Sequence, residues 1–483
     1  MIWDLLGTLY SVIELINLVF ILVVLLSGKN PARILSWLLV LYFLPMIGFL
    51  LYLFFGINWR RRHIVRKLRA TSAWLPETTA NKGESPEPQT EEVQRKKSVL
   101  TIAKVTTRLP VSWRNQVSPL SDTQAIMTAL REDIAAAKHH IHLEFYIWQL
   151  DNTGKDLIRA LVKKAKSGVE VRLIIDGFGS KWFLRRRWIR ALDPLGLIHV
   201  VFFQPVRFPF INNLRANYRN HRKLVVIDGQ ITYIGGMNIG DEYLGKVPRF
   251  GYWRDTMLRI EGEASRSAQT IFFQDWHFIS KEKLPRRKDY FPDDIGQRLP
   301  HTVVQVVPSS PHGNWDTIAQ LYFEMIASAD TSLYITTPYV IPDEALMMAL
   351  RTAAMGGTDV KLLIPSKPDR WVSYWATQSY LEEMLISGIK VYGYDPKRFI
   401  HAKVILVDGV LASIGSANLD QRSMNINFEL NAMIYNKDVV AEMTRTFEDD
   451  LTHSHEITLE MIRNRRFDQA FFQAAARLFS PIL

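Results

Sequence analysis

No cysteine occurs in the 483 residues. Disulfides, thiolate zinc sites and cysteine nucleophiles are therefore excluded, and a reducing compartment is compatible with the chain. No glycine-rich Walker loop occurs, so no nucleotide site is recognisable. No constellation of His, Asp and Glu has metal-ligand spacing, so neither a metal nor another cofactor is expected. Between Ile34 and Ile57 there is no charged side chain. What is present is basic: 59 Lys and Arg against 48 Asp and Glu give a formal net charge of +11. That balance favours an anionic partner, whether nucleic acid, anionic lipid or a phosphorylated substrate.

Residues 1–57 read as a membrane hairpin. The first apolar segment, Leu5–Leu26, carries Glu14 and Asn17, and the second, Ile34–Ile57, is unbroken by charge. A span of this length crosses about 30 Å of hydrocarbon. A cleaved signal peptide is the alternative for the first segment, but a basic start and a small-x-small cleavage site are missing. Pro45 is expected to kink the second helix. Six basic residues follow it (Arg60, Arg61, Arg62, Arg66, Lys67, Arg69), whereas the connecting turn has only Lys29 and Arg33. The positive-inside bias puts both the N-terminus and the large domain in the cytoplasm. Residues 58–97 read as a basic juxtamembrane segment and polar linker, weakly ordered over 70–97.

The stretch Asn217–Asn238 organises the rest. Its skeleton is His221, Lys223, Asp228, Gly235, Gly236 and Asn238, and it returns as His401, Lys403, Asp408, Gly415, Ser416 and Asn418. Each copy reads as a β-hairpin: an apolar run (Leu224–Ile227; Val404–Val407), an Asp-Gly turn, then a second run. His and Lys lie two apart, so both point to one face of a strand. The small pair admits close approach of a backbone or ligand. A lone His before a buried strand is usually structural; six matching positions in two copies are not explained that way. Imidazole, fixed cation and amide together suit a phosphate diester.

Strand–helix–strand units repeat around these copies. His142–Trp148, Gly154–Ser167 and Val169–Ile175 in one half correspond to Ser332–Ile341, Asp343–Met355 and Val360–Ile364 in the other. The pattern predicts an α/β fold with helix-covered sheets, the halves spanning 98–300 and 301–483.

The doubled motif His-x-Lys-x4-Asp-x6-Gly-(Gly/Ser)-x-Asn resembles the phospholipase D superfamily. IGDEYLG after Asn238, LDQRSMNINFEL after Asn418, and NPARILSW with Pro45, Gly48, Tyr52 and Gly56 resemble bacterial cardiolipin synthases more narrowly. The resemblance implies two phospholipase D-like halves facing across a pseudo-twofold axis. It implies a catalytic set of His221, Lys223, Asp228, His401, Lys403 and Asp408. His221 is then the nucleophile that forms a phosphohistidine, and His401 the acid and base. Asn238 and Asn418 join the lysines around the phosphoryl oxygens. Asp255 and Glu429 are the candidates to orient the imidazoles. Asp228 and Asp408 sit at hairpin turns and also read as structural anchors. The reaction implied is phosphatidyl transfer between two phosphatidylglycerols, giving cardiolipin and glycerol, at a bacterial inner membrane. Hydrolysis by a membrane-bound phospholipase D, a nucleic-acid phosphodiesterase and a non-enzymatic scaffold are the rivals. The apolar spans weigh against nucleic acid, and two complete motifs weigh against a scaffold.

Lys181–Arg190 and Arg207–Asn213 mix basic and aromatic residues, as does the C-terminal tail. Either a contact with an anionic membrane surface or a solvated face with core aromatics fits the first two. The tail fits a core helix or an interfacial one.

Overall fold

The computed structural model describes residues 18–26, 31–44, 48, 52, 90–180, 193, 195–204, 218–284, 288–293, 295, 299–311, 313 and 316–483. The chain divides into two compact units: Met1–Arg66 with Arg207–Arg215, and Lys67–Val206 with Ala216–Leu483. In the small unit, Pro31–Phe43 is an apolar helix. Val24, Leu41 and Tyr52 are buried together, and the rings of Phe20 and Trp37 meet Tyr52 edge-on. Among the described residues no helix is long and apolar enough to cross a membrane. Much of both expected spans, including Glu14, Asn17 and Pro45, lies outside the described residues, as do Lys181–Arg190 and Arg207–Asn213.

The large unit holds two eight-stranded sheets. Its first strands are β1 (Asn115–Asp122), β2 (His140–Phe145), β3 (Glu170–Asp176), β4 (Ile198–Phe203), β5 (Leu224–Ile227), β6 (Ile231–Gly235) and β7 (Trp253–Gly262). Then come β8 (Val303–Ser309), β9 (Ser332–Thr336), β10 (Val340–Ile341), β11 (Asp359–Pro365), β12 (Lys390–Tyr394) and β13 (Phe399–Ile400). The last are β14 (Val404–Val407), β15 (Leu411–Gly415), β16 (Leu419–Asp420), β17 (Glu429–Tyr435) and β18 (Ser454–Ile457). One sheet runs β1-β7-β6-β5-β2-β3-β4, the other β8-β17-β15-β14-β9-β11-β12-β18. Laid side by side, the two orders match strand for strand until β18. The strand β13 leaves its own half and joins the first sheet beside β7.

The crossover helices obey local rules. Asp151 and Asp343 cap Asn152–Lys166 and Glu344–Met355 by accepting from the N–H groups of Gly154 and Leu346. Gly168 and Gly357 then leave these helices at φ +91° and +100°, which glycine alone adopts without strain. The single strand expected over Ser332–Ile341 is two: β9 stops at Thr336 and β10 starts at Val340. Pro338 lies in the gap and has no N–H for a ladder.

The hairpin strands are buried on both faces, which is why they read as unbroken apolar runs. Val225 and Ile227 enter the first half's outer core, while Leu224 and Val226 face the opposite way. Ile405 and Val407 enter the second half's outer core; Val404 and Leu406 share the inner one with Leu224 and Val226. That shared core, with the helices Ala264–Ser280 and Lys437–Thr452, fuses the halves. The polar stretch before residue 98 ends in the helix Glu91–Arg95, and the helix Lys97–Thr107 follows. Val93, Val99, Leu100 and Ala103 pack there into the second half's core, although they precede the first half in sequence.

Candidate active site

Both Asp-Gly turns have positive φ at each residue: +53° and +64° at Asp228-Gly229, +52° and +66° at Asp408-Gly409. This is the primed hairpin geometry the dipeptide favours. It places each aspartate at the end of its strand away from the histidine. The Asp228 carboxylate accepts from the backbone N–H groups of Lys138, His139 and His140 at 2.8–3.0 Å. Asp408 does the same for Asp330, Thr331 and Ser332, and also accepts from the buried Lys96 at 2.7 Å. Burial opposes ionisation of Asp408, but these donors hold its carboxyl down at about 2. Each aspartate thus pins the start of the neighbouring antiparallel strand, β2 for Asp228 and β9 for Asp408.

The two histidines are held across the halves. His221 N–H donates to the Phe428 carbonyl at 2.9 Å, and His401 N–H to the Arg254 carbonyl at 2.7 Å. The residue after each of these carbonyls supplies the carboxylate. His221 Nδ1 lies 3.0 Å from Glu429 Oε2, and His401 Nδ1 lies 2.8 Å from Asp255 Oδ2. The sequence names Asp255 and Glu429 without saying which serves which imidazole; the pairing is crossed. A carboxylate can only accept, so Nδ1 carries the proton and Nε2 is left as base or nucleophile. Glu429 and Asp255 are fully buried, while the imidazoles keep 12% and 10% of their side-chain surface. Lys223 Nζ donates to its own His221 carbonyl at 2.7 Å, and Lys403 to that of His401.

Burial sets the charges. It lowers both imidazoles to about 4, against the pull of Glu429 on His221 and of Asp255 on His401. It lowers Lys223 to about 7 and Lys403 to about 8. Both carboxyls stay below their usual range despite burial, each held there first by its own histidine. The site therefore offers neutral imidazoles beside ammonium groups that are costly to bury without an anion.

Asn238 is buried and its Oδ1 accepts from Ile147 N–H at 3.1 Å. Asn418 is buried too, and its Nδ2 donates to Asp420 at 2.9 Å. Several neighbours escaped sequence reading. The Tyr146 ring lies 5.0 Å from that of His221, and Trp253 lies 5.3 Å from His401. Arg222 is buried, ion-pairs with Asp275, and donates through Nε to the Glu429 carbonyl at 3.1 Å. Its signal was in the motif: the residue between His and Lys is Arg in one copy and Ala402 in the other. Asp275, on a helix far along the chain, carried no such signal. Ser416, noted only for its size, donates Oγ–H to Glu429 Oε2 at 2.5 Å.

Two matched sheets with one His-Lys pair each define the phospholipase D-like class. A family model described as the cardiolipin synthase, PLD-like domain matches residues 130–276 and 322–451. The phospholipase D-nuclease N-terminal model matches residues 15–56. A cardiolipin synthase of Geobacillus kaustophilus is 41% identical over 98% of this chain and 94% of its own length. The major cardiolipin synthase of Bacillus subtilis is 40% identical over 98% of this chain and 99% of its own. The chain belongs to the cardiolipin synthase family. A phosphatidylserine synthase crystal structure from Haemophilus influenzae shares the fold, with TM-score 0.61 and 16% identity over 80% of this chain and all of that one.

Proposed function

We propose that the chain is a phosphatidyltransferase that converts two phosphatidylglycerols into cardiolipin and glycerol through a phosphohistidine. The observation that carries this reading is the pair of neutral imidazoles, each backed by a carboxylate from the opposite half. His221 Nε2 attacks phosphorus, the bond to the glycerol oxygen breaks, and His401 gives that oxygen a proton. The free hydroxyl of a second phosphatidylglycerol then attacks phosphorus, His401 takes its proton, and the bond to His221 breaks. The diester's negative charge favours the protonated imidazole, which His401 needs for the first step. Lys223, Lys403, Asn238 and Asn418 stabilise the phosphoryl oxygens. Asp228 and Asp408 act from a distance, by fixing the hairpins. One diester is exchanged for another, so the reaction is close to thermoneutral and needs no nucleotide.

Leu5–Leu26 and Ile34–Ile57 span the bacterial inner membrane in this reading, with the catalytic unit cytoplasmic. The apolar sequence and the basic cluster Arg60–Arg69 support it. A reporter at Leu483 reachable from outside intact cells would invert the topology.

The deciding experiment incubates the purified full chain with labelled phosphatidylglycerol and identifies products by mass. Cardiolipin with glycerol is expected; phosphatidic acid alone would mean water is the acceptor. With His401→Asn and a p-nitrophenyl phosphodiester lipid, whose leaving group needs no proton, one acid-labile phosphatidyl adduct should map to His221. An adduct on His401 in the reciprocal His221→Asn protein, with none on His221, would reverse the roles.

A further inference from the structure

The C-terminal helix Phe467–Arg477 is not a core helix. Phe467, Phe471 and Leu478 stand 87%, 62% and 81% exposed. Their spacings of four and seven put them on one stripe. Phe472 and Phe479 are each 50% exposed beside it. A second helix continues the apolar surface. Trp371 and Val372, in the first turn of Trp371–Ile386, are exposed. The rings form one file, Trp371 to Trp375 at 6.4 Å, Trp375 to Phe472 at 5.9 Å, and Phe472 to Phe471 at 6.1 Å. An apolar surface this continuous needs an occupant.

Trp371, where the file begins, follows Arg370 in the chain. Arg463, Arg465, Arg466 and Arg477 border the ridge and pair with Glu382, Asp468 and Glu383 at 3.0–3.7 Å, which leaves the border with an excess of positive charge; Arg463 and Arg466 are well exposed. Arginine beside tryptophan and phenylalanine is the composition of a headgroup-level contact, where guanidinium meets phosphate and rings enter the acyl boundary.

We propose that this ridge is the face by which the catalytic unit lies on an anionic phospholipid leaflet. The proposal rests on the phospholipid-transfer reading above. Docking removes the rings from water, so each contributes affinity for the interface and none for the chemical step.

The cysteine-free sequence allows a direct test. In the full chain, Phe471→Cys carries a nitroxide, and Lys163→Cys, on an exposed position of the helix Asn152–Lys166, is the control. Both proteins are reconstituted in vesicles of phosphatidylglycerol and phosphatidylethanolamine. The label at 471 should collide with oxygen more than with a nickel chelate, as at a depth of about 5–10 Å, and the control should not. A water-exposed label at 471 overturns the proposal. So does spin–spin broadening at 471 in lipid-free detergent, which would make the ridge a contact between two copies of the chain. A second variant, Trp371→Ser/Phe471→Ser/Phe472→Ser, should raise the KM for vesicle lipid about tenfold or more. Its rate on monomeric short-chain phosphatidylglycerol should be unchanged. Equal losses on both substrates would assign the ridge to fold or site and overturn docking. If the unaltered chain turned over no phosphatidylglycerol, the reaction reading would fail while the label depth still reported on the face.

Discussion

The first half-site holds Arg222, Gly236 and Asp255 where the second holds Ala402, Ser416 and Glu429. Because the carboxylates cross over, these differences fall on the imidazoles unequally. Glu429, partner of His221, accepts from His221, Ser416 and Asn427, and Arg222 grips its carbonyl. Asp255, partner of His401, accepts from His401 and from Thr256 N–H. A Cβ on Gly236 would lie 2.2 Å from Asp255 Oδ1, so no hydroxyl can be added there without displacement. The carboxylate behind His221 is thus braced by a denser network than the one behind His401, whose Nδ1 also has Lys403 Nζ at 2.9 Å. A nucleophile gains from a fixed position, while an acid that becomes a base must change charge twice per turnover. The asymmetry therefore favours His221 as the nucleophile on grounds independent of sequence order.

The comparison breaks most simply at the histidines. His221→Ala and His401→Ala should each lower cardiolipin formation by at least about 10²–10⁴-fold, the usual worth of acid–base assistance. Full activity in either variant, measured by product mass, would mean one half-site suffices.

Removing the carboxylates should cost less, because the imidazoles remain. Glu429→Gln and Asp255→Asn should each lower turnover by roughly 10²-fold or more, through loss of the Nδ1–H tautomer. The crossing makes a sharper point. In Glu429→Gln the phosphatidyl adduct should form slowly, and in Asp255→Asn it should form from an activated donor but decay slowly. Single-turnover mass spectrometry separates these, and the opposite pattern would mean the histidine roles are exchanged.

The pH profile of kcat/KM tests the charges. Neutral His221 is needed, and its value of about 4 puts the acid limb below pH 5. Charged lysines are needed, and values of about 7 and 8 put the alkaline limb there. Both basic groups are depressed, so activity is gained as pH rises through the imidazole value and lost as it rises through the lysine values. Guanidinium stays protonated, so Lys223→Arg/Lys403→Arg should lose rate but keep no alkaline limb below about pH 9. A limb persisting near 7–8 would show that the two lysines do not set it.

The hairpins, their Asp-Gly turns and the doubled sheet were legible because each is written locally: β-branched runs, turn dipeptides and a repeat. Both orienting carboxylates were named for the same reason, by their place after each motif. Which imidazole each one serves was not legible, since it depends on β13 pairing with β7 and on Asn220 bridging to Phe428 across the halves. Lys96 was assigned to a polar linker because its charge looks solvated; it is buried against Asp408 instead. Such a pairing, 312 residues apart in the chain, leaves no local pattern.

The smallest expected effect isolates the bracing itself. Ser416→Gly makes the second small pair identical to the first, Gly-Gly, and removes the CH2OH group whose hydroxyl donates to Glu429 Oε2. The Leu430 N–H, which donates to that same oxygen of Ser416 at 2.9 Å, loses its partner as well. His221 still donates to Glu429, so the tautomer is kept and the nucleophile survives. A hydrogen bond to a charged acceptor contributes about 1.5–3 kcal/mol when removed from a buried site. Part of that is returned here, because an unbraced Glu429 binds the His221 proton more tightly. A fall in kcat of about 3–30-fold with little change in KM is expected. The acid limb of the pH profile should move up, since a more basic Glu429 stabilises the imidazolium. An unchanged kcat and acid limb would show that the serine adds nothing to the bracing, and the structural case for His221 as nucleophile would then rest on Asn427 and Arg222.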